Sequence, residues 1–176
     1  MRVLNHCHSV RVSSNRVFDW FTNLDKNYLT WHPISHRSFQ WLSEKPVVEG
    51  STFMMEEQIG RHNHKMLMKI SDIFENQRIL FSSVRIEMNS KYAPNWFISV
   101  LISLFRIKME MHRLIENKSE QVTTIKLTHK IGSQIPVIHK LVDFVIEHFI
   151  ISSKSHLEHI EEKALNMKTA LEKNNI

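Results

Sequence analysis

The segment Tyr28-Leu29-Thr30-Trp31-His32-Pro33-Ile34-Ser35-His36 holds the densest chemistry in the chain. Two imidazoles four residues apart can ligate a metal from one helix face, but Pro33 between them prevents a regular helix through both. They must then project from a turn, with one of His32 and His36 directed inward. The plainer alternative is a capping and turn role for both, beside packed Tyr28 and Trp31. A second candidate is Glu57. In 51–59, strand alternation sets Phe53, Met55, Glu57 and Ile59 on the apolar face and Thr52, Met54, Glu56 and Gln58 on the other. A carboxylate on an inward face is costly unless it is paired, protonated or bound to a metal. A one-residue bulge would exchange Glu57 for Glu56.

The third candidate is His156, near the centre of an apolar helical stripe, with Ser152 and Ser153 one turn back. Small polar groups around an inward histidine suggest a wet cavity. A core histidine satisfied by a backbone carbonyl is the alternative. His159 lies to the side of that stripe and His148 faces away. His129 shares a face with Ile125, Leu127 and Ile131, so it can line an interior. His112 sits in Lys108-Met109-Glu110-Met111-His112, where alternation favours the methionines inside. His6 and His8 share a strand face with Leu4 and Val10, and His62-Asn63-His64 reads as a solvated turn. Met66, Met68, Met109 and Met111 suggest a soft, adaptable lining. The glycine-rich nucleotide motifs, HExxH and GxSxG are absent, and Cys7 has no evident activating partner.

These side chains need elements to position them. Residues 2–12 alternate as a strand, Ser13-Ser14-Asn15 offers cap chemistry for a short helix, and a second helical piece stops at His32-Pro33. Six strands follow, roughly 36–44, 50–59, 63–75, 78–88, 106–117 and 120–131, punctuated by turn residues such as Gly50 and Gly60. An apolar helical insert at 93–105, apolar all round, should be buried as a lid or at a dimer interface. From Pro136 to Asn174 the period becomes helical, with a stripe from Ile138 to Leu171. One long helix across a curved antiparallel sheet buries both apolar faces, giving an α+β helix-grip domain over 1–176 with an internal cavity.

With 176 residues, 42% apolar and 23% charged, the chain suits one ordered domain. Lys+Arg 23 against Asp+Glu 18 leaves +5, scattered rather than gathered, so no nucleic-acid partner is expected. The longest apolar run, 96–105, is too short to span a bilayer. One cysteine suits a reducing, cytoplasmic setting.

The strand–helix–helix–six strands–helix order resembles the START/Bet v 1-like superfamily. Within it, Tyr28-x-x-Trp31-His32-Pro33-x-x-His36, followed by Glu56-Glu57-x-Ile59-Gly60, is similar to the diacetylphloroglucinol and phloretin hydrolase family. That resemblance implies a zinc-dependent hydrolase cleaving a carbon–carbon bond of an acyl-phenolic ketone. It also implies His36 and Glu57 as ligands and Tyr28 as a substrate contact. His156 is the helix histidine able to add a third ligand, with His112 or His129 available to orient phenolic hydroxyls. The sequence departs from the family where a His-x-x-x-Glu pair should stand: His159 is followed four residues later by Lys163. The alternative is a carrier that holds a hydrophobic or aromatic small molecule without chemistry, as a monomer or a homodimer.

Overall fold

The computed structural model describes residues 1–44, 47–60, 62–90, 94–133, 135, 139–150 and 152–173. The strands are β1 (Arg2–Val10), β2 (His36–Trp41), β3 (Thr52–Ile59), β4 (His62–Phe74), β5 (Arg78–Ser90), β6 (Ile107–Ser119) and β7 (Val122–Ser133). They form one antiparallel sheet in the order β1-β7-β6-β5-β4-β3-β2. Helices α1 (Ser14–Thr22) and α2 (Leu24–Trp31) carry the chain from one edge of the sheet to the other.

Alternation makes the sheet one-sided. Phe53, Met55 and Ile59 of β3, Met66, Met68 and Ile70 of β4, Met109 and Met111 of β6, and Ile125 and Leu127 of β7 are all buried. Helices then cover that face. The glycines that matter are at β-turns: Gly50 and Gly60 both have positive φ (93° and 59°), which a side chain resists. A Cβ on Gly60 would also meet Ser155 Oγ at 3.2 Å, so this glycine lets the C-terminal helix approach the β3–β4 turn.

That C-terminal helix is not the single rod expected over 136–174. Helix α4 (His139–Val145) runs into a π-helical turn at Ile146–Ile150, and α5 (Ser153–Lys173) begins anew after Ser152. The break has a local cause. The Glu147 carboxylate accepts bonds from the Ser153 amide (3.1 Å) and hydroxyl (2.8 Å), while Ser152 Oγ accepts from the Ser155 amide at 3.2 Å. Side-chain acceptors thus satisfy the first amides of a fresh helix, in place of carbonyls from the turn before. Residues 136–138, 151 and 174 of the expected helix lie outside the described residues.

The apolar insert is not buried all round within one copy of the chain. Helix α3 (Asn95–Leu104) buries Ile98 and Ile102, but Trp96 (69% exposed), Val100 and Leu104 face outward. It packs along β5 and β6 on one side only. No described helix is long and apolar enough to cross a membrane.

Candidate functional site

The register of the sheet creates the site. His36 on β2 stands directly opposite Glu57 on β3, and Glu57 stands opposite His64 on β4. Alternation then drives all three side chains to the buried face, where each is under 4% exposed. Glu56 points outward and is half-buried, its carboxylate taking a bond from Ser38 Oγ. From above, α5 lowers His159 and Lys163, one turn apart, onto Glu57. Lys163 Nζ donates to Glu57 Oε2 at 2.5 Å, and His159 Nε2 lies 3.2 Å from the same oxygen. His36 Nε2 lies 3.4 Å away.

Helix α2 holds this cluster from the flank. Tyr28 stacks on the His36 ring with centroids 3.8 Å apart, and its hydroxyl donates to the Glu56 carbonyl at 3.2 Å. His36 Nδ1 donates to the Tyr28 carbonyl at 2.5 Å, so the neutral ring turns a bare Nε2 toward the cluster. Trp31 Nε1 donates to the Lys163 carbonyl at 2.8 Å, and His32 stacks on His159 while bonding Glu162 (2.6 Å). Of the pair His32 and His36, only His36 reaches Glu57.

Electrostatics follow burial. Desolvation works against the Glu57 carboxylate, but Lys163 and the bond from His159 outweigh it and hold the acid well below the usual range. Burial pushes the Lys163 ammonium down, against the pull of Glu57. Burial also pushes His36, His64 and His159 down to about 4, and His156 to about 3. Near neutral pH the cluster is therefore one Lys–Glu ion pair ringed by uncharged imidazoles.

A second network lies beside it. Arg113 on β6 donates to His129 Nε2 at 2.9 Å, and His129 Nδ1 is 2.9 Å from His156 Nε2. A guanidinium only donates, so His129 must accept from it and donate onward to His156. His156, expected as a metal ligand, therefore belongs to this relay. Its place beside His36 and Glu57 is taken by His159, expected at the side of the stripe. His112 does not reach the interior: its ring is half-exposed and bonds Glu110 at 3.1 Å. His64, read as part of a solvated turn, is 1% exposed, and neither ring nitrogen has a hydrogen-bond partner.

Sequence reasoning missed Lys163 and Arg113. Arg113 carried a usable signal, since Met109, Met111, Arg113 and Ile115 alternate onto one face. Lys163 lies seven residues after His156, which is two helical turns along the same side.

Donor chemistry gives a mixed answer on a metal. Ligand atoms of His36, Glu57 and His159 lie within 4.8 Å of one another, and His36 presents an unprotonated nitrogen. Those three side chains would be the ones to hold a zinc ion. Yet the cation that Glu57 holds is Lys163, bonded to the very oxygen the histidines face. The residues present therefore do not fit a resident metal while that ion pair stands.

Between this cluster and the sheet lies a small interior space lined by Leu24, Tyr28, Trp31, Phe53, Met55, Phe81, Met111, Arg113 and Lys163. It measures about 10 Å³, room for about one water. Larger hollows lie away from it, such as one of about 460 Å³ between α3 and strands β5 and β6. The interior space is bordered by the buried Arg113 and Lys163.

No family model matches the chain, and no curated protein does. Solved structures do match over nearly its whole length. A START superfamily protein from Mycobacterium smegmatis is 13% identical, covers 97% of both chains and has a TM-score of 0.67. A major latex-like protein from Panax ginseng is 10% identical over 96% of both, with a TM-score of 0.68. The Zhui aromatase/cyclase from Streptomyces sp. R1128 is 10% identical, covers 98% of this chain and 92% of its own, and scores 0.61. The chain has the START/Bet v 1-like helix-grip fold. At these identities the likeness carries the fold alone, and nothing in it supports the finer resemblance to the zinc hydrolases.

Proposed function

We propose that this chain binds a hydrophobic small molecule between its sheet and helices α2 and α5, oriented by the buried polar groups there. One observation carries the reading. The interior space has aromatic and methionine walls, yet two buried cations, Lys163 and Arg113, border it. Apolar walls with a few convergent polar groups are how small-molecule sites are built. Met55 and Met111 are unbranched and can change rotamer to enlarge the space. Structural neighbours include a cyclase and a norcoclaurine synthase in complex with a transition-state analogue, so a bound small molecule accords with the fold. The test is to purify the protein natively and compare its intact mass with its denatured mass. A retained organic ligand, or a stabilising shift in melting temperature with amphiphilic additives, supports the reading. A protein that holds nothing and responds to nothing refutes it.

A second reading, the zinc-dependent hydrolase of acyl-phenolic ketones, draws on the His36–Glu57–His159 triangle and its bare His36 nitrogen. This reading requires Lys163 to leave Glu57. Stoichiometric zinc that raises the melting temperature of the wild type favours it; no shift in the wild type but a shift in Lys163→Gln places the ammonium where a metal would be. Should the chain pair with a second copy, the exposed Trp96, Val100 and Leu104 of α3 offer the apolar surface, and sedimentation at micromolar concentration tests that.

A further inference from the structure

Arg113 is 2% exposed, and its guanidinium has no carboxylate within ion-pair distance among the described residues. Its bonds go to the His112 carbonyl (3.1 Å), Met111 Sδ (3.6 Å) and His129 Nε2 (2.9 Å), and its Nε has no partner. Phe21 and Trp31 lie beside it at 5.9 and 6.0 Å from ring centroid to Cζ. Aromatic faces and neutral acceptors soften the charge of a buried guanidinium but do not cancel it. The nearby carboxylate of Glu57 is already engaged by Lys163. Among the described residues the interior therefore holds one more positive charge than negative, and that charge borders the apolar space.

Resting on the small-molecule reading above, we infer that the ligand is an amphiphilic anion: an apolar body carrying one carboxylate or phenolate, its head paired with Arg113. Such a head supplies the missing charge and an acceptor for the orphaned Nε. The body would lie against Phe53, Met55, Phe81 and Met111, which line the same space. A neutral ligand of the same shape would leave the guanidinium uncompensated.

Matched probes test this. Calorimetry at neutral pH compares decanoate with 1-decanol, and 2-naphthoate with 2-naphthylmethanol, so that chain and aromatic bodies are told apart. In the wild type at least one anion should bind about tenfold or more tightly than its alcohol, as expected for a charge-assisted bond in a dry site. Arg113→Met should bring that anion to the affinity of the alcohol while leaving the alcohol within about twofold. Arg113→Lys, which keeps the charge, should retain a preference, and it carries the test if Arg113→Met does not melt cooperatively. Equal binding of acid and alcohol by the wild type overturns the anion and leaves hydrophobic binding standing. Binding of neither member of either pair overturns both. An anion preference that survives in Arg113→Met overturns the assignment to this residue.

Discussion

Acid should unfold this protein unusually early, and its interior histidines are the reason. His36, His64, His156 and His159 are buried with values pushed down to about 4, 4, 3 and 4, mainly by desolvation. In the unfolded chain each returns to about 6.5. A group whose folded value lies below its unfolded one binds protons mainly when the chain unfolds. Its contribution is intact above pH 6.5 and is lost as pH falls toward 4. At pH 5 the loss is about 2 kcal/mol for each group, so about 8 kcal/mol for the four. His129, also pushed well below its usual value by burial and by Arg113, adds to the same slope. Domains are stable by about 5–15 kcal/mol in total, so the midpoint of acid unfolding should lie near pH 5. The Glu57 carboxylate does not oppose this, because it stays ionised throughout that window. Urea unfolding followed by circular dichroism at steps from pH 8 to 4.5 measures the effect, and its slope counts protons taken up on unfolding. An uptake of about three or more near pH 5.5 is expected. Stability that changes by less than about 2 kcal/mol between pH 7.5 and 5 would show that these rings are wet or already charged, and the picture of a dry imidazole cluster would fall.

Removing one partner of the central ion pair should cost more than removing both. Lys163→Met leaves Glu57 buried beside neutral rings and should destabilise by about 3–5 kcal/mol, whereas Lys163→Met with Glu57→Gln should recover a good part of that, read from denaturant midpoints. His64→Leu removes a buried ring with no hydrogen-bond partner, so it should raise stability at pH 5 by about 2 kcal/mol and reduce the acid slope by about one proton; a loss of stability at pH 5 would reveal a partner for that ring. Trp96→Ser on the open face of α3 should change the unfolding free energy of a monomer by less than about 0.5 kcal/mol, read from the denaturant midpoint, and a larger loss would show that something covers this face.

The fold was legible because alternation and period are local properties. Phe53, Met55 and Ile59 fix the inward face of β3, and Glu57 falls on it by counting alone. His64 obeyed the same count from Met66, Met68 and Ile70. The apparent turn at 60–64 obscured it, because Gly60 reverses the chain tightly enough for β4 to begin at His62. His159 and Lys163 were harder. A stripe drawn from one continuous helix assumes a single covering surface, and His159 lies to the side of it. In the structure α5 is covered twice, by the sheet below and by α2 at the flank, where Trp31 and His32 reach it. That second contact widens the buried arc to take in His159 and Lys163, and no period within residues 153–173 encodes it. Arg113 was legible by alternation but contrary to expectation for its type, since arginine is rarely buried without a partner.

Strand β1 lies at one edge of the sheet and is bonded along its length to β7, so that Leu4 faces His129 across most of the chain. During synthesis residues 2–10 therefore leave the ribosome with half-buried side chains to hide and no strand to receive them. Strands β2 to β6 each have a sequence neighbour to pair with, so the sheet can grow in the order in which it is made. β1 must wait for residues 122–133, and closing so long a loop is slow. Its arrival also completes the seat of the last helix, because the Arg11 amide at its end donates to Glu172 of α5 at 2.8 Å. The first of these seven strands is thus the last to find its partner, and until then its open edge can pair with a stranger.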